Sequence, residues 1–227
     1  MNTVVLYLVR HGAIVSGTEK SFVGQSDTPL SADGIAQAWA LRQWLAPIRF
    51  SRVISSDLSR SRQTCEIIAA RQGQPLETVP ALREISLGEW EGVSFAEIKD
   101  RFPKEFAARG LDMENWRPPA GESFADCFAR VSAVISEILA GSHGNILLAG
   151  HAGVNRLILC SVLGIPLSNL HSLGQDYGCL NIIAFGPNRV QVKLLNYTPL
   201  PSPSLIGVSS RSNDVQSKSH EKMSASR

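Results

Sequence analysis

Arg10, His11 and Gly12 follow directly on the apolar run Val4 to Val9. Arginine is a permanent cation whose planar donor fork suits phosphate oxygens, and a neutral imidazole beside it is a potential nucleophile. The same pattern returns at Ala149-Gly150-His151-Ala152-Gly153, again after an apolar run. A third junction, Ser55-Ser56-Asp57-Leu58-Ser59-Arg60, places Arg60 in the first turn of an expected helix. There, free backbone N–H groups and the positive end of the dipole already favour an anion. If the strands are neighbours, two imidazoles and two guanidiniums meet in one crevice suited to holding and transferring a phosphoryl group. Leu82 to Gly92 adds three carboxylates, Glu84, Glu89 and Glu91. Phosphoryl transfer to a histidine needs an acid to protonate the leaving oxygen, a role open to such a group.

The elements that must position these residues follow from periodicity. Val4–Val9 is short, aliphatic and β-branched, as a strand buried on both faces should be. Apolar residues at Ile35, Ala38, Trp39, Leu41 and Leu45 recur at helical spacing, with Ser31 as cap and Pro47 as stop. Val53-Ile54 reads as a second strand, followed by a helix capped by Ser56 or Asp57 and running to about Arg71. A long excursion, about 73–121, contains a helix from Ser94 to Arg101 and the break at Pro118-Pro119. A helical stripe runs from Phe124 to Ile138, then a strand over Asn145–Ala149 and a helix over Val154–Leu163. Ile182–Phe185 and Val190–Leu195 close the order as a hairpin turned by Gly186-Pro187-Asn188. Strands alternating with helices predict an α/β fold, a three-layer α/β/α sandwich around a mostly parallel sheet. Ligands in such folds sit beyond the carboxyl ends of the strands.

Composition sets the outer limits. A chain of 227 residues with 44% hydrophobic content can fill one large α/β domain, expected over residues 1–198. Residues 199–227 are serine-rich and read as a flexible tail, with Leu205-Ile206 able to dock locally. The tail carries four basic and two acidic residues, so removing them from totals of 22 and 20 leaves 18 of each. A neutral body argues against nucleic acid as partner, which normally needs a basic face. The four cysteines (65, 127, 160 and 179) have neither a C-x-x-C pair nor metal-ligand spacing, so no metal or cofactor is expected. No apolar stretch approaches a membrane span and no secretory signal is legible, which makes the cytoplasm the expected location. A monomer or a homodimer is equally compatible with the chain.

The segments RHG at 10–12, SSDLSRSRQT at 55–64, LREISLGEWEG at 82–92, PPAGES at 118–123 and AGHAG at 149–153 together resemble the histidine phosphatase superfamily, with its phosphoglycerate mutase-like fold. The resemblance covers about residues 4–195. It implies that His11 takes up the phosphoryl group as phosphohistidine, held by Arg10, Arg60 and His151. Glu84 matches the general acid or base, and Gly12 and Glu122 are further possible site residues. Glu122 reads equally as a carboxylate at a helix start. Ser16-Gly17 stands where mutases carry Trp-Asn, and only 37 residues separate Glu84 from Gly121; both features favour hydrolysis over mutase transfer. The resemblance therefore implies a phosphatase acting on a small-molecule phosphate monoester. GQSDTPLS at 24–31 and PPAGESF at 118–124 look similar to the ribazole-phosphate phosphatases of cobalamin assembly, which points to α-ribazole 5'-phosphate. Phosphoglycerate mutase-type transfer and a non-catalytic phosphate-binding module are the alternatives. Cys65 and Arg71 have the C-x5-R spacing of cysteine-dependent phosphatases, but a helix interior between them turns the two side chains to different faces. His143, His171 and His220 receive no role.

Overall fold

The computed structural model describes residues 3–15, 17 and 19–199. Ser16 of the pair set against the mutase pattern, and the expected tail from residue 200 on, lie outside this range.

Among the described residues six strands form one sheet: β1 (Val4–Arg10), β2 (Arg52–Ser55), β3 (Leu76–Thr78), β4 (Gly144–Gly150), β5 (Leu180–Phe185) and β6 (Val190–Tyr197). Their order is β3-β2-β4-β1-β5-β6. The first four in that order run parallel, while β5 is antiparallel to β1 and β6 to β5. The helices are α1 (Ala32–Trp44), α2 (Ser59–Ala69), α3 (Phe95–Arg101), α4 (Pro103–Leu111), α5 (Phe124–Ala140) and α6 (Ala152–Leu163). No helix among the described residues is long and apolar enough to cross a membrane.

β1 lies in the middle of the sheet, and alternation sends its side chains into two separate cores. Val4, Leu6 and Leu8 pack with Val131 and Ile135 of α5 and Leu157 and Ile158 of α6. Tyr7 and Val9 pack on the other side with Leu41 and Leu45 at α1 and with Cys65 and Ile68 of α2. Full burial of each such aliphatic side chain contributes about 1.5–3 kcal/mol. The result is the expected α/β/α sandwich, with α1 and α2 on one face and α5 and α6 on the other.

Local chemistry sets the helix starts, and one differs from expectation. Ser31 caps α1, its hydroxyl accepting from the Gly34 N–H. Ser123 and Asp126 form a capping box on α5. α2, however, is capped by neither Ser56 nor Asp57: Leu58 is its N-cap and offers no side-chain acceptor. Ser56 bonds to His151, and Asp57 pairs with Arg83. The Asp27 carboxylate supplies the missing acceptor instead, taking the Ser59 N–H at 2.7 Å from another loop. α2 also stops at Ala69, two residues before Arg71. Two elements of the excursion were not expected, the three-residue strand β3 and helix α4.

Candidate active site

Backbone register builds the site. Arg10 is paired with Gly150 across β1 and β4, so the next residues, His11 and His151, leave the sheet side by side. The His11 N–H donates to the Gly150 carbonyl at 3.0 Å, and the two ring centroids stand 5.2 Å apart. β2 borders β4 on its other side, with Ser55 opposite Ala149, which delivers Arg60 from the first turn of α2. Arg10, His11, Arg60, Glu84 and Gly153, at the start of α6, line one crevice of about 230 Å³. His151 lies beneath it, fully buried.

Both imidazoles are held neutral. Burial is the largest cause for His11, followed by the charges of Arg10 and Arg60, and its pKa lies well below 6.5. For His151, burial leads again, followed by His11, Arg60 and Arg10. The His11 tautomer is fixed as well. Its Nδ1 lies 2.8 Å from the Gly12 carbonyl oxygen, which can only accept, so Nδ1 carries the proton. Nε2 therefore keeps its lone pair. His151 Nε2 meets the Ser56 hydroxyl at 2.7 Å, and its Nδ1 has no partner.

The arginines are tied down by carbonyls rather than by carboxylates. Arg10 donates to the Gln175 carbonyl at 2.6 Å and stacks on the Tyr177 ring, 3.7 Å from its centroid. Arg60, only 1% exposed, donates to the Ser26 and Gly24 carbonyls at 2.6 and 2.7 Å. The Nε atoms of both remain unpartnered. Among the described residues, the buried side-chain N or O atoms without a partner are these two and His151 Nδ1. Buried polar groups are nearly always satisfied, so three unpaired nitrogens on three neighbouring residues mark a place built for an acceptor-rich group.

The loop carboxylates separate by geometry. Glu84 faces the crevice and accepts backbone N–H bonds from Ile85 and Gly153, each at 3.0 Å. A Cβ on Gly153 would lie 2.4 Å from Glu84 Oε1, so the carboxylate occupies the space of a side chain. Glu91 is a brace, accepting from Gln25 N, Leu87 N and the Ser26 hydroxyl. Glu89 is exposed. Glu122 lies outside the crevice wall, paired with Arg130 at 2.7 Å and accepting from the Ser86 N–H. Arg130 in turn donates to the carbonyls of Ala81, Arg83 and Glu84, so the pair holds the segment that carries Glu84. Gly12 receives the His11 Nδ1 proton on its carbonyl and donates to the Thr64 hydroxyl. A Cβ there would meet the Gly34 carbonyl at 2.3 Å.

Several wall residues had no signal in the sequence. Arg109 of α4, Arg156 of α6, His171 and Tyr177 line the crevice with Phe22, Phe95 and Phe124. Each is a common residue type in an unremarkable local context, brought together only by the fold. His171, which its sequence context assigns no role, stands in this wall. Among the described residues no group of three or more His, Cys, Asp and Glu is arranged to hold a metal ion. Cys65 is fully buried with its thiol pushed up to about 12 by burial, and Arg71 lies past the end of α2 against a different hollow.

Residues 6–198 match the profile of the histidine phosphatase superfamily (branch 1). The adenosylcobalamin/alpha-ribazole phosphatase of Salmonella typhimurium is 31% identical over 192 residues, covering 84% of this chain and 95% of that protein. A glucosyl-3-phosphoglycerate phosphatase of Mycolicibacterium vanbaalenii is 32% identical over 177 residues, 74% of this chain and 78% of its own. Other relatives are named "Probable phosphoglycerate mutase". The crystal structure of the alpha-ribazole phosphatase from Shigella flexneri superposes with a TM-score of 0.79 at 27% identity, covering 85% of this chain and 96% of that one. Sequence, fold and the paired imidazoles at the strand ends agree: the chain is a phosphatase of the histidine phosphatase superfamily (branch 1).

Proposed function

We propose that the enzyme hydrolyses a small-molecule phosphate monoester in two steps through a phosphohistidine at His11. The observation that carries this reading is the Nδ1 contact to the Gly12 carbonyl, which leaves a neutral ring with its lone pair on Nε2 beside two guanidiniums. Nε2 attacks phosphorus as the P–O bond to the leaving alcohol breaks, and Glu84 as the carboxylic acid gives that oxygen its proton. Glu84, now a carboxylate, then takes a proton from water, whose oxygen attacks phosphorus. The P–N bond breaks, phosphate departs and His11 is restored. Arg10 and Arg60 balance the charge on the equatorial oxygens and the neutral His151 offers them a hydrogen bond, which is where phosphoryl-transfer catalysis chiefly acts.

The relatives favour two substrates, α-ribazole 5'-phosphate and glucosyl-3-phosphoglycerate, and the segments at 24–31 and 118–124 favour the former. Four free, buried thiols suit a reducing compartment, and we place the enzyme in the cytoplasm. Incubation with aryl phosphate in the presence of a chelator, with acid quench, tests the mechanism. Phosphate release with an acid-labile, alkali-stable phosphoenzyme is expected, and His11→Ala is expected to abolish both. Turnover surviving in His11→Ala overturns the nucleophile. Isomerisation of 3-phosphoglycerate without phosphate release assigns the mutase reaction instead, and binding without either reaction assigns a phosphate-binding module.

A further inference from the structure

We propose that Arg109 and Arg156, with His171 between them, form a second anion subsite that takes a carboxylate or phosphate group carried by the leaving portion of the substrate. The inference rests on the phosphatase reading of the inner crevice and adds the chemical class of what that crevice accepts.

The three residues come from different elements, α4, α6 and the 3-10 turn Leu167–Ser172, yet all line the same cavity as His11. Arg52, Arg62, Arg83, Arg101, Arg117 and Arg130 each pair with a carboxylate. Arg109 and Arg156 form no ion pair among the described residues, although both are partly buried. Taking an uncompensated guanidinium out of water is costly, and a structure that does so twice in one wall has a use for the charge. Both are also anchored in ways that leave donors uncommitted. Arg109 lies over the Phe22 ring, 5.6 Å from its centroid, and has no hydrogen-bond partner among the described residues. Arg156 donates through Nε to the Leu173 carbonyl at 2.8 Å, and its two terminal nitrogens have no partner among the described residues. His171 packs edge-on against Phe124; burial first, and then the charges of Arg156 and Arg109, lower its pKa and favour a neutral imidazole able to donate.

The crevice thus carries Arg109 and Arg156 in addition to Arg10 and Arg60, with Phe22, Phe95 and Phe124 in the same lining. The inner pair, Arg10 and Arg60, stands at the nucleophile. Arg109 and Arg156 share that cavity, and we assign them to the alcohol portion of the ester because Arg10 and Arg60 already serve the phosphoryl group. A leaving group bearing its own anion would engage both; of the two substrates above, this subsite favours glucosyl-3-phosphoglycerate, whose alcohol portion carries a carboxylate, over α-ribazole 5'-phosphate, whose alcohol portion is neutral.

Phenyl phosphate and 4-carboxyphenyl phosphate differ only in the outer anion, and benzene-1,4-diyl bisphosphate replaces carboxylate with phosphate. The unsubstituted enzyme is expected to favour an anion-bearing ester in kcat/KM by about tenfold, the scale of one charge-assisted hydrogen bond. Whichever of the two anionic esters gains more identifies the group. Arg109→Gln and Arg156→Gln are each expected to bring that ratio towards one, Arg109→Lys to keep part of it, and rising salt to erode it in the unsubstituted enzyme. A ratio near one in the unsubstituted enzyme, or a ratio unchanged in both Gln variants, overturns the subsite while leaving the phosphatase intact. Should a Gln variant fail to fold, the salt dependence and the unsubstituted ratio decide alone. Failure to hydrolyse any of the three esters overturns the phosphatase reading itself.

Discussion

Arg60 holds the protein together and faces the crevice with the same guanidinium. Its terminal nitrogens secure the carbonyls of Gly24 and Ser26, so the loop that forms one wall is fixed by the cation that the phosphoryl group meets. Arg60→Ala should therefore lower kcat about a hundredfold or more, the usual cost of about 3–4 kcal/mol for losing one preorganised donor. Arg60→Lys should recover little, because a single ammonium cannot span both carbonyls and still serve the crevice. Steady-state hydrolysis of an aryl phosphate checks both, and near-normal turnover in Arg60→Ala would take the residue out of the site. At this scale the inner residues were legible because each imidazole or arginine interrupts an apolar run or opens a helix. Arg109, Arg156 and Tyr177 interrupt nothing, and their place in the wall is a property of the fold alone.

The pair of Glu122 and Arg130 shows how side chains that do not enter a site can serve it. Arg130 sits two turns into α5 and reaches three carbonyls, those of Ala81, Arg83 and Glu84, in the segment ending at Glu84. Glu122, just before the helix, aligns it with both carboxylate oxygens. Glu122→Gln should lower kcat about tenfold through a shifted Glu84, with KM little changed, since displacements of an ångström or less are expensive in oriented reactions. Arg130→Met should do the same and also destabilise the fold by about 2–3 kcal/mol, because it strands a partly buried carboxylate and three carbonyls. Stopped-flow single turnovers and urea titration measure the two effects. Elements with strong periodicity were readable in advance, as α5 shows with its buried stripe Phe124, Cys127, Val131, Ile135 and Ile138. α4 was not, since it is nine residues long and none of its residues is fully buried. β3 is three residues long, too short for alternation to register. The cap of α2 was misread because Asp27, which supplies it, lies 32 residues away in sequence.

For the molecule as a whole, the two buried histidines couple stability to pH. Both have folded-state pKa values depressed well below 6.5, so between about pH 6.5 and those values the unfolded chain binds protons that the native protein refuses. The linkage makes their contribution fully present above about pH 7 and progressively lost on acidification. Urea unfolding at pH 7.5 and 5.5 should show a loss of about 2–3 kcal/mol from this pair, before paired carboxylates begin to titrate. His151→Asn should show roughly half the slope, and a flat parent profile would contradict neutral burial. The sandwich pattern itself was legible in the alternation of β1 and the order of strands and helices. What the sequence does not encode locally is the neighbour relation of β1, β4 and β2, which long-range pairing decides. The four cysteines are all buried, and burial drives the Cys65 thiol to about 12 and that of Cys179 to about 11. Native protein is consequently inert to maleimides at neutral pH, and one cysteine introduced at Leu111, 90% exposed at the tip of α4, would accept a fluorophore without any background. Two residues from Arg109, such a dye would turn arrival of a ligand at the mouth into light.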